Sequence, residues 1–92
     1  MRLRLKDVLE VLAQYEVHQR DLTQQGLAGD IDTTKSRIRI HLKLALRERV
    51  GTLIHEAVHA YYIDMGHIHT ERSVEIETKR LMKELYGSEY GR

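Results

Sequence analysis

The sequence predicts a small α+β domain. Apolar residues recur at helical spacing near the N-terminus, from residue 46 onward, and again after residue 71. Residues 36–44 alternate strictly between apolar and polar, the period of a half-buried strand. At 92 residues the chain is the size of one domain, spanning 1–92.

In order along the chain, Leu5, Val8, Leu9, Leu12 and Tyr15 share one helical face, so an amphipathic helix is expected over residues 6–19. Residues 23–36 are polar and hold Gly26 and Gly29, with turn chemistry in Thr33-Thr34-Lys35-Ser36. A short strand over residues 27–31 is expected to form an antiparallel hairpin with residues 36–44. In that second strand Ile38, Ile40, Leu42 and Leu44 face one way, and Arg37, Arg39, His41 and Lys43 the other. The basic row suits an exposed edge strand, because charge there blunts unwanted pairing.

A second helix is expected over residues 46–64, with Val50, Leu53, Ala57 and Ala60/Tyr61 as its buried stripe and Gly66 closing it. Gly51 costs that helix some stability; it either permits close approach of another segment or is merely tolerated there. Thr70 suits an N-cap and Glu71 a first turn. The last helix then runs over residues 71–86, burying Val74, Thr78, Leu81 and Leu85 beside Met82, and ends at Gly87.

Composition narrows the function. Fifteen basic and 14 acidic residues, net charge +1, give no argument for nucleic acid or an anionic membrane as partner. There are no cysteines, which excludes disulfides and thiolate metal sites and fits a reducing compartment. The N-terminal stretch is too charged for a secretory signal, and no apolar run approaches the ~18–20 residues of a membrane span, so a cytoplasmic protein is expected. Phe and Trp are absent, leaving Leu, Ile, Val, Met and Tyr to fill a modest core that a bound metal would help to stabilise.

The chemistry concentrates in His55-Glu56-Ala57-Val58-His59. Residues four apart lie on one face of a helix, so the two imidazoles project together at a spacing suited to one metal ion. Glu56 sits beside that position, where its carboxylate can take a proton from an activated water. This is the arrangement of a zinc metalloprotease with Glu56 as general base. Six His and nine Glu in this chain would produce the bare pattern about 0.04 times by chance. The surroundings sharpen it: Thr52, Leu53, Ile54, Ala57, Val58, Ala60 and Tyr61 are all uncharged, as a helix buried on its back face requires.

A catalytic zinc takes three protein ligands and keeps one position open. Besides His55 and His59, the candidates for the third are Asp64, His67, His69, Glu71 and Glu75. Asp64 lies on the motif helix and points away. Glu71 and Glu75 are four apart and share one face of the last helix, and Glu75, nearer its middle, is favoured. A metzincin arrangement is excluded, because Tyr62 and Met65 stand where its Gly and His would be.

The run from Leu53 to Tyr61, followed by Glu75-Ile76-Glu77-Thr78-Lys79-Arg80-Leu81-Met82, resembles gluzincin metallopeptidases. It looks most like the minigluzincins and the ImmA/IrrE-like peptidases, over roughly residues 36–86. The resemblance implies a minimal zincin-like domain, Zn²⁺ as cofactor, Glu75 as third ligand, and peptide or protein as substrate. It also implies a strand before the motif helix that receives the peptide by edge addition, here residues 37–44. Lys79 departs from the family pattern, where Asn is common. A second resemblance, to SprT-like domains, would make the third ligand His67 or His69. Tyr61, Tyr62, His69 and Tyr86 are candidates for steadying the oxyanion. The alternative reading is a non-catalytic or latent zinc-binding module of the same fold, its cleft filled by residues 88–92 or by a dimer partner.

Overall fold

The computed structural model describes residues 3–87, so the tail at residues 88–92 lies outside the described residues. The order is α1 (Leu5–Leu12), β1 (Glu16–Arg20), β2 (Gly29–Asp32), β3 (Arg37–His41), α2 (Leu46–Asp64) and α3 (Glu71–Tyr86). Three helices and a three-stranded mixed sheet make this an α+β domain, as the periodicities predict.

The first helix is shorter than expected. It starts where the Asp7 carboxylate accepts a hydrogen bond from the Arg4 amide at 3.0 Å, and it ends at Leu12, followed by a tight turn through Tyr15. Residues 16–20, expected to continue it, form a strand instead. β1 runs parallel to β3, with Val17 opposite Ile38 and Gln19 opposite Ile40. Long-range pairing overrides local helical spacing here, because after Leu12 only Tyr15 continues the apolar stripe.

That added strand changes the sheet. Its order is β1-β3-β2, with β2 antiparallel to β3, so β3 is the central strand and not an edge. Ile38 and Ile40 are buried against the helices. The basic row on the opposite face is matched by acidic neighbours. Arg37 pairs in register with Glu16 and Asp32, and Arg39 with Asp30. Arg39 Nε donates to Asp30 Oδ1 at 2.8 Å, and Arg39 Nη2 donates to Asp30 Oδ2.

α2 and α3 keep their expected bounds. α2 is wedged between the sheet on one side and α1 and α3 on the other. It therefore buries Ile54, Glu56, Ala57, Val58 and Ala60, more of its circumference than the single stripe expected. Leu3, Val8, Ile54, Ala57, Val58, Val74, Leu81 and Met82 form the core. Leu85 falls beyond it and is exposed.

The turn after α2 is a Schellman motif. Gly66 takes φ 69°, the His67 amide donates to Tyr62 O at 2.9 Å, and the Gly66 amide to Ile63 O at 3.0 Å. Thr70 then caps α3, accepting from the Ser73 amide. The close-packed glycine is Gly29 rather than Gly51. A Cβ on Gly29 would lie 2.6 Å from Thr52 Cγ2 and 2.8 Å from Arg39 O. On Gly51 it would meet only Met82 Cε, at an ordinary 3.5 Å. Gly29 thus lets β2 lie directly against the motif helix. Among the described residues no helix is long and apolar enough to cross a membrane.

Candidate metal centre

α2 projects His55 and His59 from successive turns, with ring centroids 4.9 Å apart. Both Nε2 atoms turn toward one carboxylate. His59 Nε2 lies 2.9 Å from Glu71 Oε1 and 3.0 Å from Oε2, and His55 Nε2 lies 3.3 Å from Oε1. One ligand atom from each of the three residues falls within 4.8 Å of the others. Ligands held at about 2.0–2.1 Å around a tetrahedral ion stand about 3.3 Å apart, near the separations of Glu71 Oε1 from the two Nε2 atoms, so the group could hold a metal ion.

The carboxylate that meets the imidazoles is Glu71, not the favoured Glu75. α3 returns against α2 after a short turn, so each step toward its C-terminus moves toward the N-terminal half of α2. Glu71, the first residue of α3, reaches His55 and His59. Glu75, one turn further, lines the cleft with Glu48, Gly51 and Thr52. Sequence spacing places both Glu residues on one face; only the register of α3 along α2 separates them.

Asp64 ends α2 near Tyr15 and is outside the group. His67 is exposed, edge-on to the Tyr62 ring. His69 is close to the site but on its outer side, with Nε2 3.1 Å from His59 Nδ1. Of the aromatic candidates, Tyr62 stacks on His69 with centroids 5.1 Å apart. Tyr61 lies edge-on to Tyr62. Tyr86 lies under the Arg47 guanidinium, 4.4 Å from ring centroid to Cζ.

Glu56 is 7% exposed. Burial pushes its carboxyl above the usual range, an effect partly offset by His55 and His59. Partial desolvation would also raise Glu71, but the hydrogen bonds from His59 and His55 outweigh it and hold that carboxyl below its ordinary value. The two carboxyls are pushed in opposite directions: Glu71 favours the anion that holds a cation, and Glu56 has a greater affinity for a proton.

A cleft of about 810 Å³ opens beside them. Ala28 and Gly29 at the start of β2 form one wall, Thr52, His55 and Glu56 of α2 the floor, and Glu75, Thr78 and Lys79 of α3 the other wall. The strand at the cleft is therefore β2, with a free outer edge among the described strands, and not β3; of residues 37–44 only Leu44, past the end of β3, lines the cleft. An isolated glycine in a strand marks close backbone approach, and Gly29 was the signal for it.

No family model matches the chain, and neither the curated proteins nor the solved structures contain a significant match to it. What can be said of its activity rests on the site.

Proposed function

We propose that this chain is a zinc-dependent metallopeptidase with a minimal zincin-like fold, acting on peptide or protein substrates. His55, His59 and Glu71 hold the ion and Glu56 is the general base. Two imidazoles and a carboxylate are a common ligand set of catalytic zinc, and the resemblance of residues 53–61 to gluzincins points the same way. The observation that carries the proposal is Glu56. Metal binding alone has no need of it, yet it is buried on the motif helix, beside the ligands, and faces the cleft.

When bound, zinc supplies Lewis-acid polarisation of a water and of the scissile carbonyl. The residues do the rest. A peptide laid along the free edge of β2 by strand addition passes over His55 and Glu56. Glu56 takes a proton from the attacking water and returns it to the departing amine.

Zinc content and cleavage of a mixed peptide library, measured on wild type and Glu56→Gln, test this. The expected result is about one zinc in each, with hydrolysis reduced ~10²–10⁴-fold in the variant, the usual cost of removing a general base. Zinc-loaded wild type that cuts nothing would leave a non-catalytic binding module. A Glu56→Gln chain as active as wild type would remove Glu56 from the mechanism.

A further inference from the structure

We propose that His69 is a positioning residue for the metal centre: it accepts a hydrogen bond from His59 and so turns the His59 Nε2 lone pair toward the ion. This rests on the proposed metal site and adds to it a residue that is not itself a ligand.

Three polar groups form a chain behind the site. His59 Nδ1 lies 3.1 Å from His69 Nε2, and His69 Nδ1 lies 3.2 Å from the His67 carbonyl. A carbonyl oxygen can only accept, so His69 Nδ1 must carry its proton. In the neutral ring His69 Nε2 is then bare and must accept. His59 Nδ1 must therefore donate, which leaves His59 Nε2 with a free lone pair. That lone pair faces the Glu71 carboxylate at 2.9 and 3.0 Å. Two acceptors at that distance are bridged either by a proton, as in the His59–Glu71 hydrogen bond of the metal-free site, or by the metal ion that would displace it. The fixed carbonyl of His67 thus propagates, through two rings, the tautomer a metal ligand needs.

The fold holds this relay still. The Schellman turn at Gly66 holds the His67 amide against the end of α2. Tyr62, one turn beyond the ligand pair on α2, stacks on the His69 ring at an interplanar angle of 26°. Thr70 then opens α3 and sets Glu71 in the site. One short connector therefore delivers both the third ligand and the support for the second.

The test is competition of the full-length chain against a chromophoric zinc chelator, with wild type, His69→Phe, His69→Gln and His59→Ala compared. Phe keeps a ring against Tyr62 but removes the acceptor. Gln places a carbonyl oxygen near the position of Nε2. Loss of a ligand's supporting partner costs ~10–100-fold in affinity, and that loss is expected for His69→Phe, with recovery to within about threefold of wild type in His69→Gln. A second readout is the His59 Nδ1 proton in the zinc-loaded chain by ¹⁵N-edited NMR. It should exchange slowly in wild type and His69→Gln and rapidly in His69→Phe. Wild-type affinity in His69→Phe overturns the proposal while leaving the metal site intact. A His69→Gln chain as weak as His59→Ala makes His69 a ligand and also overturns it. Wild type that binds no zinc removes the site itself, and the positioning role with it.

Discussion

Replacing Glu71 by Ala should abolish tight zinc binding while leaving the metal-free fold almost untouched. The Glu71 side chain is 63% exposed, and among the described residues its hydrogen bonds are to His55 and His59. So solvated a group contributes at most ~1 kcal/mol to folding through such contacts. Its contribution to the metal is larger. Four-ligand structural zinc sites bind with apparent free energies of ~10–16 kcal/mol, so one ligand of the set is worth roughly 3 kcal/mol, or ~10²-fold in affinity. Glu75→Ala is the matched control. It removes the same side chain four residues later, from the cleft wall rather than from the ligand group. The assay is chelator competition for zinc on both variants, with thermal unfolding of each metal-free chain alongside. The expected pattern is a ~10²-fold loss in Glu71→Ala, a change within about threefold in Glu75→Ala, and melting within a few degrees of wild type for both. A Glu75→Ala chain that loses zinc as badly as Glu71→Ala, or worse, would refute the helix register from which the reasoning starts.

Two further outcomes test the frame around the site. Gly29→Ala should destabilise the fold by ~1–3 kcal/mol, because the new Cβ would press on both Thr52 Cγ2 and the immovable Arg39 carbonyl. Adding Thr52→Ser, which removes only the first contact, should recover part of the loss in thermal melts. An unchanged melting temperature in Gly29→Ala would mean β2 does not lie against α2. The Asp30–Arg39 pair should give the fold an acid-sensitive increment. Hydrogen bonding to Arg39 holds the Asp30 carboxyl below its ordinary value. Its stabilisation is therefore present above the unfolded pKa of about 3.9 and is lost as pH falls through the lower folded value. With both side chains about a third exposed the increment is at most ~1 kcal/mol. Asp30→Asn should flatten that part of the denaturation profile, and an unaltered acid slope would show the pair contributes nothing.

Much of this molecule is decided by residues near one another in sequence. The helix bounds at Leu46–Asp64 and Glu71–Tyr86 follow from apolar spacing, Gly66 and the Thr70 cap. The pairing of His55 with His59, and the place of Glu56 beside them, follow from the 3.6-residue repeat alone. These depend on torsions and contacts within a turn or two, which any fold containing the helix must respect. Other features needed the tertiary structure. Residues 16–20 became a strand only because β3 offered a partner 21 residues on, as Glu16 pairs with Arg37. That pairing made β3 central and left β2, held close by Gly29, as the strand at the cleft. The choice of Glu71 over Glu75 turned on how far α3 slides along α2. Both carboxylates share a face, and one helical turn, about 5.4 Å, separates the one beside the imidazoles from the one on the cleft wall. His69 looked like a possible ligand, and its position behind His59 depends on the path of the connector. Local spacing decides what a helix presents; which partner it meets depends on packing between segments distant in the chain, and no window of sequence holds both.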